Sequence, residues 1–170
     1  MAQLPLPLIF IARTLLDETA RLLASFTLRK DSEGVVYWFG LELGQRAVVT
    51  TLVVPDAETE MGFVRTSAVA NAEAISVMVD TPLVSLGQAH SHPRRWVDHS
   101  PLDDRETFAQ FPGAISLVVP FYGRRGCELA HCGVHRHLDG RYKRIAQARV
   151  SDHLRVIPGF ADFRGQHNGV

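Results

Sequence analysis

The strongest constraint on the fold is the segment from Leu83 to Pro93, where an apolar run leads directly into two histidines and a proline. The apolar run is typical of a buried strand, and Pro93 ends that strand because proline cannot donate to a sheet ladder. Side chains on a strand point the same way every two residues, so His90 and His92 share a face, about 6.6 Å apart along the backbone. This spacing suits two imidazoles that converge on one metal ion.

A carboxylate, Asp103, follows ten residues after the proline, in the sequence Ser100-Pro101-Leu102-Asp103. Serine at a cap, proline at the first helical position and an acid in the first turn predict a helix that begins here. We therefore expect Asp103 on the first helical turn, facing the histidine pair. Two imidazoles and one carboxylate leave the fourth position of a tetrahedral zinc ion open for water, which is typical of catalytic zinc.

The complete string, His-x-His-Pro, six residues, then Ser-x-x-Asp, resembles the motif of the JAMM, or MPN-plus, zinc metallopeptidases. The resemblance extends over Leu8 to Arg149 and implies one zinc ion per chain, held by His90, His92 and Asp103. It also assigns the hydroxyl of Ser100 to stabilise the oxyanion of the transition state, whereas the plain structural interpretation of this serine is helix capping.

The family also requires a glutamate that opens the strand after the first helix, with a glycine seven residues further on. Glu33 and Gly40 match this pattern, so the resemblance makes Glu33 the general base. Glu42 is the rival candidate, but it lies at the far end of the same predicted strand, near the turn Leu43-Gly44-Gln45-Arg46.

The remaining periodicities predict a single α/β domain of residues 1–150, followed by a tail of residues 151–170. Strands are expected at 8–11, 33–40, 46–54 and 114–121, with helices at 13–28, from Val64 to the residues before Thr81, and from Ser100 to Gln110. An acidic loop is expected up to Gly62, and a last hairpin at 127–137 and 141–149 around Asp139-Gly140. This order resembles the MPN fold, which is similar to cytidine deaminase, with a mixed, curved sheet flanked by helices. The His-x-Glu and Pro-Cys-x-x-Cys motifs of zinc deaminases are absent.

Composition excludes several classes of partner. Lys plus Arg equals Asp plus Glu, 18 each, so no large nucleic-acid surface is expected. No apolar run approaches the roughly 20 residues that span a bilayer, so no membrane partner is expected either. Two cysteines provide no disulfide framework, which makes the cytoplasm the expected location.

A second metal site is conceivable where Cys127, Cys132, His135 and His137 cluster along the chain. Some relatives within the resembling family carry a second, structural zinc in a comparable place, with a further histidine two residues beyond the metal aspartate. Here that position is Arg105, and the spacings differ. We therefore expect an alternating strand face and only one zinc ion.

The resemblance implies peptide or isopeptide hydrolysis after the C-terminal glycine of a ubiquitin-like protein. Small prokaryotic members of this kind accompany bacterial modifiers, with their activating and conjugating enzymes, in anti-phage operons, so those proteins are the expected partners. The loop between the ligands places Trp96 and Arg94 or Arg95 where they can contact such a modifier. Two alternatives are a non-catalytic MPN scaffold, which the intact ligand set argues against, and a DNA-repair-associated JAB-type protein, which the neutral charge argues against.

Overall fold

The computed structural model describes residues 6–28 and 31–160 of the chain. Strands and α-helices alternate along these residues in the following order: β1 (Leu8–Ala12), α1 (Arg13–Ser25), β2 (Val35–Leu43), β3 (Arg46–Val53), β4 (Ala57–Glu60), β5 (Phe63–Thr66), α2 (Ala68–Ser76), β6 (Val84–Ser91), α3 (Pro101–Glu106), β7 (Ile115–Val119), β8 (Gly133–Leu138), β9 (Arg141–Arg144) and β10 (Leu154–Ile157). Eight strands form one sheet in the order β10-β1-β3-β2-β6-β7-β8-β9. Because β1 and β6 have parallel neighbours and β2 has antiparallel ones, the sheet is mixed.

The two faces of the sheet are covered by different helices. Val36 and Trp38 of β2 belong to the apolar cluster that contains the buried side of α1. Val35 and Tyr37 belong to a second cluster, with Ala74 of α2. Since successive side chains of a strand point to opposite faces, α1 and α2 lie on opposite sides of the sheet. The predicted fold class, a mixed curved sheet flanked by helices in a single domain, is confirmed.

Gly40 lies where β2 and β3 approach too closely for a side chain. A Cβ atom at this position would stand 1.9 Å from the carbonyl oxygen of Val48. The pairing of the two strands also shifts register between Phe39 and Gly40. The glycine seven residues after Glu33 therefore has a packing explanation.

The hairpin of β4 and β5 replaces elements that the sequence predicted differently. The acidic loop up to Gly62 contains β4, and the helix expected from Val64 begins only at Ala68, so the prediction of helix was wrong for β5. Gly62 has a φ of 99°, which permits the tight connection between the strands. Ser67 starts the helix, since its Oγ accepts a hydrogen bond from the N–H of Ala70 at 3.1 Å.

The C-terminal part of the sheet also differs from the expectation. The last hairpin turns at Asp139-Gly140 as predicted, but its strands are shorter than expected. Residues 154–157 of the predicted tail form β10, which pairs in parallel with β1, so the sheet continues past the boundary placed at residue 150. Residues 161–170 of that tail lie outside the described residues.

The longest helix, α1, has 13 residues. Within the described part of the chain, no helix has both the length and the apolar character needed to cross a membrane.

Candidate active site

His90, His92 and Asp103 come together beside the end of β6. The Nε2 atom of His92 lies 3.4 Å from Oδ2 of Asp103, and the Nε2 atom of His90 lies 3.7 Å from Oδ1. One ligand atom from each of the three residues lies within 4.8 Å of the others. Both histidines are buried and the aspartate is half-buried. The ligand atoms of the three side chains are therefore close enough to one another to coordinate a single small cation.

The central position of β6 fixes the two histidines. His90 is paired with Val35 on β2 and with Val118 on β7. The N–H of His92 donates to the carbonyl of Val119 at 2.9 Å. Its ring Nδ1 lies 3.0 Å from the carbonyl oxygen of Trp96, which can only accept, so Nδ1 carries the proton. The lone pair on Nε2 of His92 is therefore directed toward Asp103 and available to a metal.

Asp103 is held by the cap of its own helix. The backbone N–H of Ser100 donates to Oδ2 of Asp103 at 2.6 Å, and the N–H of Asp103 donates to Oγ of Ser100 at 3.1 Å. This reciprocal pair is a capping box. Ser100 therefore caps the helix, as its structural interpretation predicts, but only its oxygen is used. The hydroxyl proton of Ser100 is left for another acceptor.

The three side chains perturb one another's ionisation. Burial lowers the pKa of His90. Burial also opposes the charged form of His92, but the carboxylates of Asp103 and Glu33 and the bond to Trp96 together raise its pKa. For Asp103, burial alone would raise the pKa, yet the two imidazoles and the N–H of Ser100 hold it well below its usual range. The carboxylate is consequently ionised over the whole physiological range, as a metal ligand must be.

Zinc fits this donor set. The Nε2 atom of His90 is buried beside the carboxylate, and it makes no hydrogen bond within the described residues. Leaving a buried polar atom unsatisfied is costly, and a cation between the three side chains would remove that cost. Two imidazole nitrogens and one carboxylate oxygen are ligands that zinc accepts, and they leave one position open. Within residues 6–28 and 31–160, this is the one such group of three His, Cys, Asp or Glu side chains.

Glu33 lies in one cleft with two of the ligands, His92 and Asp103. The cleft has a volume of about 230 Å³ and is lined by Glu33, Gly62, His92, Pro93, Arg94, Trp96, Ser100 and Asp103. Glu33 is 3% exposed, and burial, assisted by the charge of Asp103 and opposed by that of His92, raises its pKa to about 7. Its backbone N–H donates to the carbonyl of Glu60 at 3.1 Å, which ties it to the β4–β5 hairpin. Glu42 is exposed near the other end of β2, so Glu33 is the glutamate that the structure brings to the ligands.

Residues of the loop between His92 and Asp103 line two different clefts. Trp96 is 51% exposed and its ring stacks on that of His92, with centroids 5.1 Å apart. Arg94 lines the same cleft. Arg95 instead lines a separate groove with Val97, among residues that lie beyond the loop from the metal ligands. Trp96 and Arg94 are thus placed to contact a substrate in the cleft, and Arg95 is not.

The second group of cysteines and histidines is spread over two places. The thiols of Cys127 and Cys132 lie 3.7 Å apart in the apolar core. His135 stacks on His99 with ring centroids 4.1 Å apart, and His137 meets Tyr142 edge-on.

Two features at the cleft were not predicted. The β4–β5 hairpin contributes Gly62 to the wall of the cleft. The alternation of polar and apolar residues on both sides of Met61-Gly62 is the signal from which this hairpin could have been predicted. The other feature is the buried ring of His99, next to the cap of α3, for which the sequence contains no comparable signal.

The chain resembles one curated protein in sequence and several solved structures in fold. No protein-family model matches the chain. It is 32% identical over 117 residues to a probable metalloprotease, y4jG, of Sinorhizobium fredii. That match covers 61% of this chain and 66% of the relative, slightly under two thirds of its length.

Solved structures extend the likeness to the whole fold. Protein DSY2949 of Desulfitobacterium hafniense superposes with a TM-score of 0.63 at 16% identity, covering 94% of this chain and 99% of that one. AF2198, a JAB1/MPN domain protein of Archaeoglobus fulgidus, superposes with a TM-score of 0.52 at 15% identity, covering 88% of this chain and 98% of that one. At these identities the likeness shows the fold.

Proposed function

We propose that this chain is a zinc-dependent metallopeptidase of the JAMM/MPN type, whose fold it shares. The observation that carries the proposal is the grouping of His90, His92 and Asp103 around one point, with the buried acid Glu33 in the cleft that His92 and Asp103 line. The relative in Sinorhizobium fredii, a probable metalloprotease, supports the same class of activity.

The chemistry follows from the positions of the side chains. When bound, zinc supplies a Lewis acid that acidifies a water molecule and polarises the substrate carbonyl. Glu33 takes the proton from the attacking water and delivers it to the leaving amine. Burial raises the pKa of Glu33 to about 7 in the metal-free chain, which makes this carboxylate a stronger proton acceptor than an exposed one. The free hydroxyl proton of Ser100 is directed to the carbonyl oxygen as its negative charge develops.

The substrate proposed is the C-terminal tail of a ubiquitin-like protein, cleaved after its last glycine during deconjugation or maturation. The β4–β5 hairpin beside Glu33 pairs with no third strand within the described residues. An extended peptide that adds to such a hairpin gains main-chain hydrogen bonds. Glycine is the residue that passes most easily between a closely approaching wall and the metal ligands. We extend the proposal to a bacterial modifier in a cytoplasmic anti-phage system, with its activating and conjugating enzymes as further partners.

Two alternatives make different predictions. A non-catalytic MPN scaffold needs neither zinc nor Glu33, whereas this chain has all three ligands and a buried glutamate. A DNA-repair-associated JAB-type protein would bind DNA in a salt-dependent way, whereas this chain has equal numbers of acidic and basic residues.

The experiment that tests the proposal uses the zinc-loaded chain and a ubiquitin-like protein fused through its C-terminal glycine to a reporter. Cleavage is expected directly after that glycine. Glu33→Gln is the matched enzyme control, since it keeps the ligands and should lose about 10²–10⁴-fold in rate. A fusion with valine in place of the last glycine is the substrate control. Undiminished cleavage by Glu33→Gln, or none by the zinc-loaded wild type on a panel of such fusions, would contradict the proposal.

A further inference from the structure

The helix that carries Asp103 has little packing of its own. α3 contains six residues, and none of their side chains is buried. A short helix without a buried apolar face is not held in place by hydrophobic packing. Apart from the ion pair of Glu106 with Arg65 of β5 at 3.4 Å, the position of the metal-binding carboxylate therefore depends on polar contacts at the two ends of α3.

The residues that follow α3 are held against the sheet by a hydrogen bond and a ring contact of Phe108. The backbone N–H of Phe108 donates to Oε1 of Gln88 on β6 at 2.9 Å. The ring of Phe108 stacks on that of Tyr37 on β2, with centroids 4.2 Å apart and planes 13° from parallel. These contacts fix the chain that leaves α3.

At the N-terminal end of α3, His99 forms hydrogen bonds with both the helix and the sheet. Its Nδ1 lies 2.8 Å from Oδ1 of Asp104, and its Nε2 lies 2.9 Å from Oγ of Ser116 on β7. A carboxylate can only accept, so Nδ1 donates to Asp104, and Nε2 of the neutral ring accepts the hydroxyl proton of Ser116. The ring is 5% exposed and is stacked on His135 of β8. One imidazole thus joins the first turn of α3 to two neighbouring strands.

The hydrogen bonds at the two ends of α3 reach residues that are directly opposite each other in the sheet. Gln88 on β6 and Ser116 on β7 are register partners, and His90 lies two residues beyond Gln88 on β6. The helix is therefore clamped from both ends onto the strand pair that also presents the first metal ligand. Movement of Asp104 relative to Gln88 and Ser116 would move its neighbour Asp103 relative to His90 and His92.

We propose that His99 is a positioning residue, which sets the distance between Asp103 and the histidine pair and thereby the zinc affinity of the site. The proposal rests on the metal binding that the proposed function requires. Partners that orient metal ligands typically contribute about 10–100-fold to metal affinity. We expect this bridge to contribute an effect of that size.

The test is the zinc dissociation constant, measured by competition with a chromophoric chelator. His99→Ala, Asp104→Ala and Ser116→Ala should each weaken zinc binding by about 10–100-fold. The double variant of His99→Ala with Asp104→Ala should bind zinc no more weakly than the weaker single variant, because both substitutions remove the same hydrogen bond. Cobalt bound in place of zinc should show an altered visible spectrum in the same variants.

Three controls separate positioning from other effects. Asp104→Asn removes a charge but keeps an oxygen that accepts from Nδ1, so it should retain most of the affinity. Arg105→Ala changes an exposed side chain of the same helix and should leave the affinity unchanged. Asp104 is itself exposed, so Asp104→Ala should keep the melting temperature of the metal-free protein and remains informative if His99→Ala does not fold.

Zinc affinities of Asp104→Ala and Ser116→Ala within twofold of a zinc-binding wild type would overturn the proposal and leave His99 a packing residue. A wild type that binds zinc but cleaves nothing contradicts the proposed function alone. A wild type that binds no zinc contradicts both.

Discussion

Replacing the buried acid Glu33 with glutamine is expected to stabilise the metal-free protein at neutral and alkaline pH. Glu33 is almost fully enclosed, and its pKa lies at about 7 instead of the ordinary 4.5, chiefly because burial disfavours the ionised carboxylate. The folded protein therefore binds this proton more tightly than the unfolded chain does. Its contribution to stability is lost as pH rises from about 4.5 to about 7, and the ionised group remains destabilising above that range.

The magnitude follows from the shift in pKa. A tenfold change in proton affinity corresponds to about 1.4 kcal/mol, so ionised Glu33 destabilises the fold by roughly 3 kcal/mol. Glutamine has nearly the same shape and cannot ionise. The free energy of unfolding of Glu33→Gln should therefore match that of the wild type below about pH 4 and exceed it by roughly 2–3 kcal/mol near pH 8.

Urea unfolding in the presence of a chelator, at a series of pH values between about 4 and 8, measures this difference. Glu42→Gln is the matched control, because Glu42 is an exposed carboxylate on the same strand, and its effect should be small throughout. A difference between Glu33→Gln and the wild type that does not change with pH would refute the burial argument, and with it the assignment of Glu33 as a base with a raised pKa.

Three further substitutions test single contacts, two in the cleft and one within the sheet. Trp96→Ala should raise the KM for a ubiquitin-like conjugate by about 10–100-fold, with zinc content and melting temperature little changed, because its half-exposed ring contacts His92 in the wall of the cleft; an unchanged KM in steady-state kinetics would assign Trp96 to packing. Ser100→Ala should lose both the helix cap and a donor to the oxyanion, so denaturation should show a loss of about 1 kcal/mol and kinetics a fall in kcat; full activity would restrict Ser100 to capping. Gly40→Ala should lower the free energy of unfolding by about 1–3 kcal/mol, because its new methyl group would meet the backbone of Val48; a neutral effect on urea unfolding would show that β3 can shift.

The grouping of His90, His92 and Asp103 was predictable because its signals are local. The alternation of His90 and His92 depends only on the pleat of one strand, and the capping sequence before Asp103 depends only on one helix start. The position of Glu33 needed a family pattern, since nothing in its immediate neighbours distinguishes it from Glu42. Its burial results from the hairpin and the strands that surround it.

The elements that were missed depend on partners far along the chain or on ambiguous spacing. Val64 and Ala68 fit a helical period, but Val64 pairs with Thr59 across a two-residue connection. β10 is only four residues long and forms by pairing with β1, near the other end of the described chain. His99 belongs to no periodic pattern, and its importance becomes visible only when Ser116 and Asp104 are brought to either side of its ring.

The zinc content of the purified chain, measured by elemental analysis or native mass spectrometry, decides whether the cleft is a metal site. We expect about one zinc ion per chain, lost in His90→Ala, His92→Ala and Asp103→Ala and retained in Glu33→Gln, because the glutamate is expected to contact water and not the ion. A wild type without zinc, or one whose zinc survives the removal of these ligands, would contradict a zinc site formed by these three side chains. Two zinc ions per chain would show that a second site exists beyond this cleft.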